Sequence, residues 1–212
     1  MNDPAPPSEP LPPPPPPAAP PPGDYPVHAD CEPQEEYNRA LPFFKFWLLA
    51  LPHYFVLIFL WLAGFFVAIF AFFAVLFTGR YPRGAFDYIV GVKRWSWNVT
   101  SYVALLTDRY PPFSLTADPS YPARFDVDYP EDGIANWRPL VQWLLAIPYL
   151  IVAGLLSYVA LAVAIVGAFV ILFTGKLPEG MFKLILIPFR WQYRGNAYVL
   201  FVVDRYPPFE WE

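Results

Sequence analysis

Residues 43–77 carry one charge, Lys45, and one polar interruption, Pro52-His53. A run so long and so nearly uncharged reads as a membrane segment and not as the core helix of a soluble domain. As one straight helix it would extend roughly 52 Å at about 1.5 Å per residue. The hydrocarbon core of a bilayer is only about 30 Å thick. The segment must therefore tilt or break, and Pro52 supplies a break. The expected elements are a helix near the interface over 41–51 and a spanning helix over 52–77. Thr78-Gly79-Arg80 closes it, with Gly79 as the C-cap residue and Pro82 just beyond.

A second apolar segment, 84–106, is long enough to span but holds Lys93 and Arg94 at its middle. Each costs about 2.5–3.5 kcal/mol at the bilayer centre, against a return of about 0.3–0.6 kcal/mol per large aliphatic residue. Alone this helix is marginal; it either packs on the first or lies in the interface. At about 100° per residue, Asp87, Gly91, Arg94, Asn98 and Ser101 form one stripe, and Tyr88, Val92, Trp95, Val99, Val103 and Leu106 lie opposite. Lys93 is off the stripe and can snorkel.

The whole pattern then recurs at a constant offset of 96 residues, from Tyr25-Pro26 and Tyr121-Pro122 onward. Ala50-Leu51-Pro52 returns as Ala146-Ile147-Pro148, and Leu76-Phe77-Thr78-Gly79 as Leu172-Phe173-Thr174-Gly175. Arg94-Trp95 returns as Arg190-Trp191. Asp108-Arg109-Tyr110-Pro111-Pro112-Phe113 returns as Asp204-Arg205-Tyr206-Pro207-Pro208-Phe209. A gapless offset of this kind is a tandem duplication. In the second copy Lys183, Arg190 and Arg194 take the stripe positions of Asp87, Arg94 and Asn98, so the stripe becomes more basic. The expected fold class is an all-α integral membrane protein built of two tandem helix pairs. Four transmembrane helices in parallel copies are preferred over two long spans with interfacial second helices. The expected organisation is a proline-rich and acidic disordered tail over 1–37, membrane repeats over 38–116 and 138–212, and a linker over 117–137. Pro12 to Pro17 are consecutive prolines, which favour solvated polyproline II or disorder.

These motifs resemble a family of bacterial membrane proteins, common in actinobacteria, that is known as a domain of unknown function. The resemblance covers both copies, residues 38–209. It implies integral membrane location, hence a multi-pass protein of a bacterial plasma membrane, and it carries no assigned activity. The second copy departs at Tyr149 for His53, at Lys176-Leu177 for Arg80-Tyr81, and at Glu179 for Arg83. One copy thus manages without His53 or Arg80, which argues against a catalytic role for either.

A net charge of −4 offers no basic footprint for nucleic acid, and the single cysteine, Cys31, permits no cysteine-cluster metal site. No cleavable signal is read at the N-terminus, so the first apolar segment is expected to direct insertion. No nucleophile–base pair, phosphate loop or ligand set is recognisable, and no cofactor or metal is expected. Arg94, Arg190, Arg194 and Lys93 are the candidate anion- or lipid-binding residues, because ionisable side chains within membrane segments are functional candidates by default. The alternative is that they lie near the headgroups, solvated or on lipid phosphate. Asp108, Arg109 and Tyr110, with Asp204, Arg205 and Tyr206, read as helix caps and interfacial anchors, with a gate or proton-linked pair as the alternative. The expected function is a non-enzymatic accessory or scaffolding subunit. Its partners would be the lipid bilayer and a membrane protein or a second copy. Transport or lipid binding through the basic stripes is the alternative, with a lipid enzyme ranked last.

Overall fold

A computed structural model describes residues 25–211. The proline-rich stretch expected to be disordered, 1–23, lies outside the described residues. Strand β1 (Val27–Cys31) leads into a short helix α1 (Pro42–Phe44) and one π-helical turn (Lys45–Leu49), followed by α2 (Leu51–Thr78) and α3 (Arg83–Val103). The second copy supplies β2 (Ala123–Val127), α4 (Arg138–Thr174) and α5 (Glu179–Val199). The break expected at Pro52 is real in the first copy, where Pro52 occupies the first turn of α2 and needs no donor. In the second copy the helix runs on through Pro148.

The Leu-Phe-Thr-Gly motif is a helix terminator. Gly79 and Gly175 adopt left-handed backbone, φ 67° and 73°, and their amides donate to Val75 O at 2.8 Å and Ile171 O at 2.7 Å. The preceding threonines donate back to Ala74 O and Val170 O, and accept from the amides of Arg80 and Lys176. The glycine carbonyls are then capped by the other copy. Ile134 N donates to Gly79 O at 2.7 Å, and Tyr37 N donates to Gly175 O at 2.9 Å. Each long helix therefore ends beside the residues that lead into the other, and α2 and α4 are antiparallel.

Two helices, α2 and α4, are long and apolar enough to cross a membrane. Only 17% and 22% of their most apolar stretches are buried. Phe59, Phe66 and Phe73 on α2 and Ile151, Leu155 and Ile165 on α4 are among the large side chains left exposed. α3 and α5 are unlike them, with one face on the long helices and one on the strands. Tyr88 donates to Leu60 O at 2.8 Å and Trp61 donates to Ser96 Oγ at 3.1 Å across α2 and α3. On the other face Trp97 donates to Asp30 O at 3.0 Å and Tyr121 donates to Asn98 O at 3.3 Å. In the second copy Gly195 brings α5 so close to α4 that an added Cβ would lie 2.7 Å from Leu150 Cδ2.

The all-α expectation is corrected by the strands. β1 falls within the stretch expected to be disordered, 1–37, and β2 within the expected linker, 117–137. The two pair antiparallel, and Ala29 faces Phe125, its own counterpart in the other copy. The ribbon thus has a local two-fold axis running between these two residues. Both strands alternate, and the directly paired Val27, Ala29 and Cys31 of β1 and Val127, Phe125 and Ala123 of β2 are buried together on one face of the ribbon. The copies are not two modules in a row; each gives a strand to a ribbon that covers both.

Candidate functional site

The best-defined polar constellation lies where the ribbon meets α3 and α5. Arg94 rises from the middle of α3 and donates from Nε to Phe125 O, from Nη1 to Leu115 O and from Nη2 to Asp126 Oδ1, each at 2.9 Å. Arg190 repeats this from α5, donating from Nε to Ala29 O at 2.8 Å and from Nη2 to Asp30 Oδ1 at 2.9 Å. Asp30 and Asp126 are themselves counterparts. Each copy's arginine therefore grips the other copy's strand. Their side chains are 15% and 11% exposed, whereas the two aspartates are about two-thirds exposed. The guanidinium fork suits this work, because its fixed donors reach a carbonyl and a carboxylate together.

Arg194, one turn beyond Arg190, donates from Nη1 to Glu210 Oε2 at 3.1 Å and lies 5.3 Å from the Tyr25 ring centre. Lys183, the third basic residue of the stripe read from the sequence, is exposed and pairs with Glu179 at 2.7 Å. In this structure Arg94, Arg190 and Arg194 meet protein groups.

The helix-end residues form a second pair of sites. Asp108 does not pair with Arg109. Its Oδ1 accepts from Lys45 Nζ at 2.6 Å, and Oδ2 accepts from the Asn38 amide at 2.6 Å. Lys45 is fully buried and donates also to Thr107 O at 2.7 Å. In the second copy Arg138 meets Asp204, donating to its carbonyl and lying 4.0 Å from its carboxylate, and Gln142 donates to Val203 O. Arg109 donates to Ser120 O and Oγ. Arg205 offers its carbonyl to Tyr25 OH at 3.3 Å. Tyr110 donates to Leu49 O at 3.1 Å and packs on His53, while Tyr206 packs on Tyr149 and Tyr198.

His53 and Tyr149 fill matching positions with different chemistry. His53 Nδ1 accepts from Trp95 Nε1 at 3.0 Å, and its ring stacks on Phe113 with centres 4.0 Å apart. Tyr149 donates to Pro208 O at 3.3 Å, and Trp191 turns to Glu210 O at 2.7 Å. Both are aromatic plugs between the long helix and the Tyr-Pro-Pro-Phe turn.

Lys93 stands apart from the others. It is 2% exposed, and among the described residues it makes no ion pair and no hydrogen bond. Its ammonium lies 5.2 Å from the Trp61 ring centre and 5.6 Å from that of Tyr193. Burial lowers its pKa to about 7.

Sequence reasoning located the basic residues but missed the partners Asp30, Asp126 and Lys45. The signal for the aspartates was present, since they share the repeat offset and each follows the central residue of an alternating strand. No curated protein and no solved structure matches the chain. One family model matches it twice, over residues 41–114 and 136–210. Those two matches fall on the two helix pairs described above, and the chain belongs to the family described as Domain of unknown function (DUF4389).

Proposed function

We propose that this protein is a non-enzymatic membrane-seated scaffold. Its two long helices would be embedded side by side in the bilayer, and its ribbon would be held out to water as a contact surface for a membrane-protein partner or a second copy. The observation that carries the reading is the segregation of the surface. The exposed faces of α2 and α4 are apolar along their length, while Asp30, Arg124 and Asp126 point outward from the ribbon on the far side of α3 and α5.

This segregation also bears on how the helices enter the membrane. If α2 stood upright, its middle residues Leu60 to Gly64 would be at the bilayer centre. α3 packs there through Tyr88 and Ser96, and Arg94 on α3 holds Asp126. The ribbon would then bring charges and strand edges to hydrocarbon depth, where neither is tolerated against lipid. α4, with 37 residues, is also roughly 56 Å long at about 1.5 Å per residue, far beyond a hydrocarbon core of about 30 Å. Helices lying along the membrane, with α3, α5 and the ribbon above them, meet both constraints.

The test uses sealed vesicles and a membrane-impermeant maleimide, with single cysteines at Arg83 and Lys176 in a chain whose Cys31 is replaced by serine. These positions follow the ends of α2 and α4, which point in opposite directions. Labelling of both from one side is the expected result. Labelling from opposite sides would mean that the antiparallel helices cross the bilayer and would overturn the in-plane seat.

A further inference from the structure

The Lys93 ammonium lines a cavity of about 350 Å³ between α2, α3 and α5, together with Trp61, Ser96, Tyr193 and Asn196. A second cleft of about 490 Å³ shares Trp61 and Ser96 with it, and is otherwise lined by Leu57, Ile58 and Val99 with Tyr54 and Thr100. The two adjoin along the α2–α3 groove at Trp61 and Ser96, which are hydrogen-bonded to each other at 3.1 Å between the basic end and the mostly apolar end. The apolar end opens beside Tyr54 and Ile58, exposed residues of the face proposed to lie in lipid.

We propose that this groove binds one anionic amphiphile, with the oxyanion of its headgroup on Lys93 and an acyl chain against Leu57, Ile58 and Val99. A buried cation is costly unless it is paired, and Lys93 lacks an acidic partner among the described residues. Beside the ammonium, Asn196 can donate to an oxyanion, while Ser96 is fixed by donating to Val92 O and accepting from Trp61, and the Tyr193 hydroxyl is engaged with Thr100 at 2.9 Å. The Trp61 and Tyr193 rings sustain the positive charge through their faces. The groove is not a by-product of the duplication. At the matching position of the second copy stands Phe189, partly buried and without charge, so one copy alone is equipped for this ligand. A bound oxyanion would also reverse the effect of burial on the lysine and hold it protonated.

This site rests on the bilayer seat proposed above, and its test separates the two. The full chain is reconstituted in nanodiscs of equimolar dioleoylphosphatidylglycerol and dioleoylphosphatidylcholine, extracted in mild detergent, and examined by native mass spectrometry and thermal unfolding. The wild type is expected to retain one phosphatidylglycerol in preference to phosphatidylcholine and to melt higher with it bound. Lys93→Met keeps the length of the side chain and removes the charge. It is expected to lower that retention by about ten-fold or more, to melt at or above the lipid-free wild type, and to lose the lipid-dependent shift. Lys93→Arg is expected to restore retention, and excess inorganic phosphate to leave it unchanged. Equal retention by wild type and Lys93→Met would overturn the site while leaving the bilayer seat intact. Displacement of the lipid by inorganic phosphate would overturn the lipid assignment in favour of a free-anion site. Failure to enter nanodiscs of either lipid would remove seat and site together.

Discussion

Replacing Arg94 with methionine tests the central claim that the two copies are clamped by reciprocal arginines. Methionine keeps most of the stem that crosses from α3 to the ribbon, so the loss is confined to the guanidinium. Two of its bonds go to backbone carbonyls, Phe125 O and Leu115 O, from a side chain only 15% exposed. Hydrogen bonds from a charged donor contribute about 1.5–3 kcal/mol each, and removing the donor leaves the carbonyls short of a partner. The third bond reaches Asp126, whose side chain is 68% exposed, and such a pair contributes about 0–1 kcal/mol. The expected destabilisation is about 3–5 kcal/mol, nearly all of it from the carbonyls. For a chain of this size that corresponds to a melting temperature lower by about 6–20 °C. The assay is thermal unfolding in detergent followed by tryptophan fluorescence, with hydrogen exchange over Val27–Cys31 and Ala123–Val127 to locate the opening. Those strand amides should exchange faster before α2 and α4 are affected. Asp126→Asn should lower stability by less than about 1 kcal/mol. The Arg94→Met, Arg190→Met double variant should lose less than the sum of the single variants, because both hold one ribbon. A loss below about 1 kcal/mol for Arg94→Met, with ribbon exchange unchanged, would refute the clamp.

Three further outcomes are expected. Gly195→Ala should destabilise by about 1–3 kcal/mol in the same melt, since its methyl group meets Leu150 Cδ2 at 2.7 Å and Tyr149 Cδ1 at 2.9 Å; an unchanged melt would show that α4 and α5 can move apart freely. Gly79→Ala should lose about 1–2 kcal/mol, because a side chain is strained at φ 67° and its Cβ would lie 3.0 Å from Asn136 Oδ1; Gly84→Ala, with open space around its Cβ, is the control that should change little. Cys31 should resist alkylation while the protein is folded, because burial pushes its thiol up to about 12. The thiolate is the reactive form, so at pH 8 only about one thiol in ten thousand is reactive, and raising the pH toward 12 should speed labelling; rapid modification of the native protein at pH 8 would contradict the buried ribbon.

What depends on neighbours in the chain was legible from the residues alone. The uncharged run of α2 and its repeat in α4, the Thr-Gly helix ends, and the polar stripe of α3 opposed to an apolar one are all local patterns. Each reappears in the structure because hydrogen bonding and side-chain period act over a few residues. The stripe holding Arg94 and Asn98 meets Phe125 and Tyr121, a placement that the wheel alone left open. The strands were half legible. Val27, Ala29 and Cys31 alternate with His28 and Asp30, as do Ala123, Phe125 and Val127 with Arg124 and Asp126, yet a short alternating run beside a proline-rich stretch has no visible partner. Pairing joins Val27 to Val127 and Cys31 to Ala123, residues about one repeat length apart. Long-range packing set each arginine on the other copy's strand, matched Asp108 with Lys45 and not Arg109, and left Lys93 facing a cavity. The grip of each arginine on the other copy's strand follows from the two-fold axis between the copies, which brings distant residues together for a reason no local window contains: neither copy's strand has a ladder partner until the other copy supplies it.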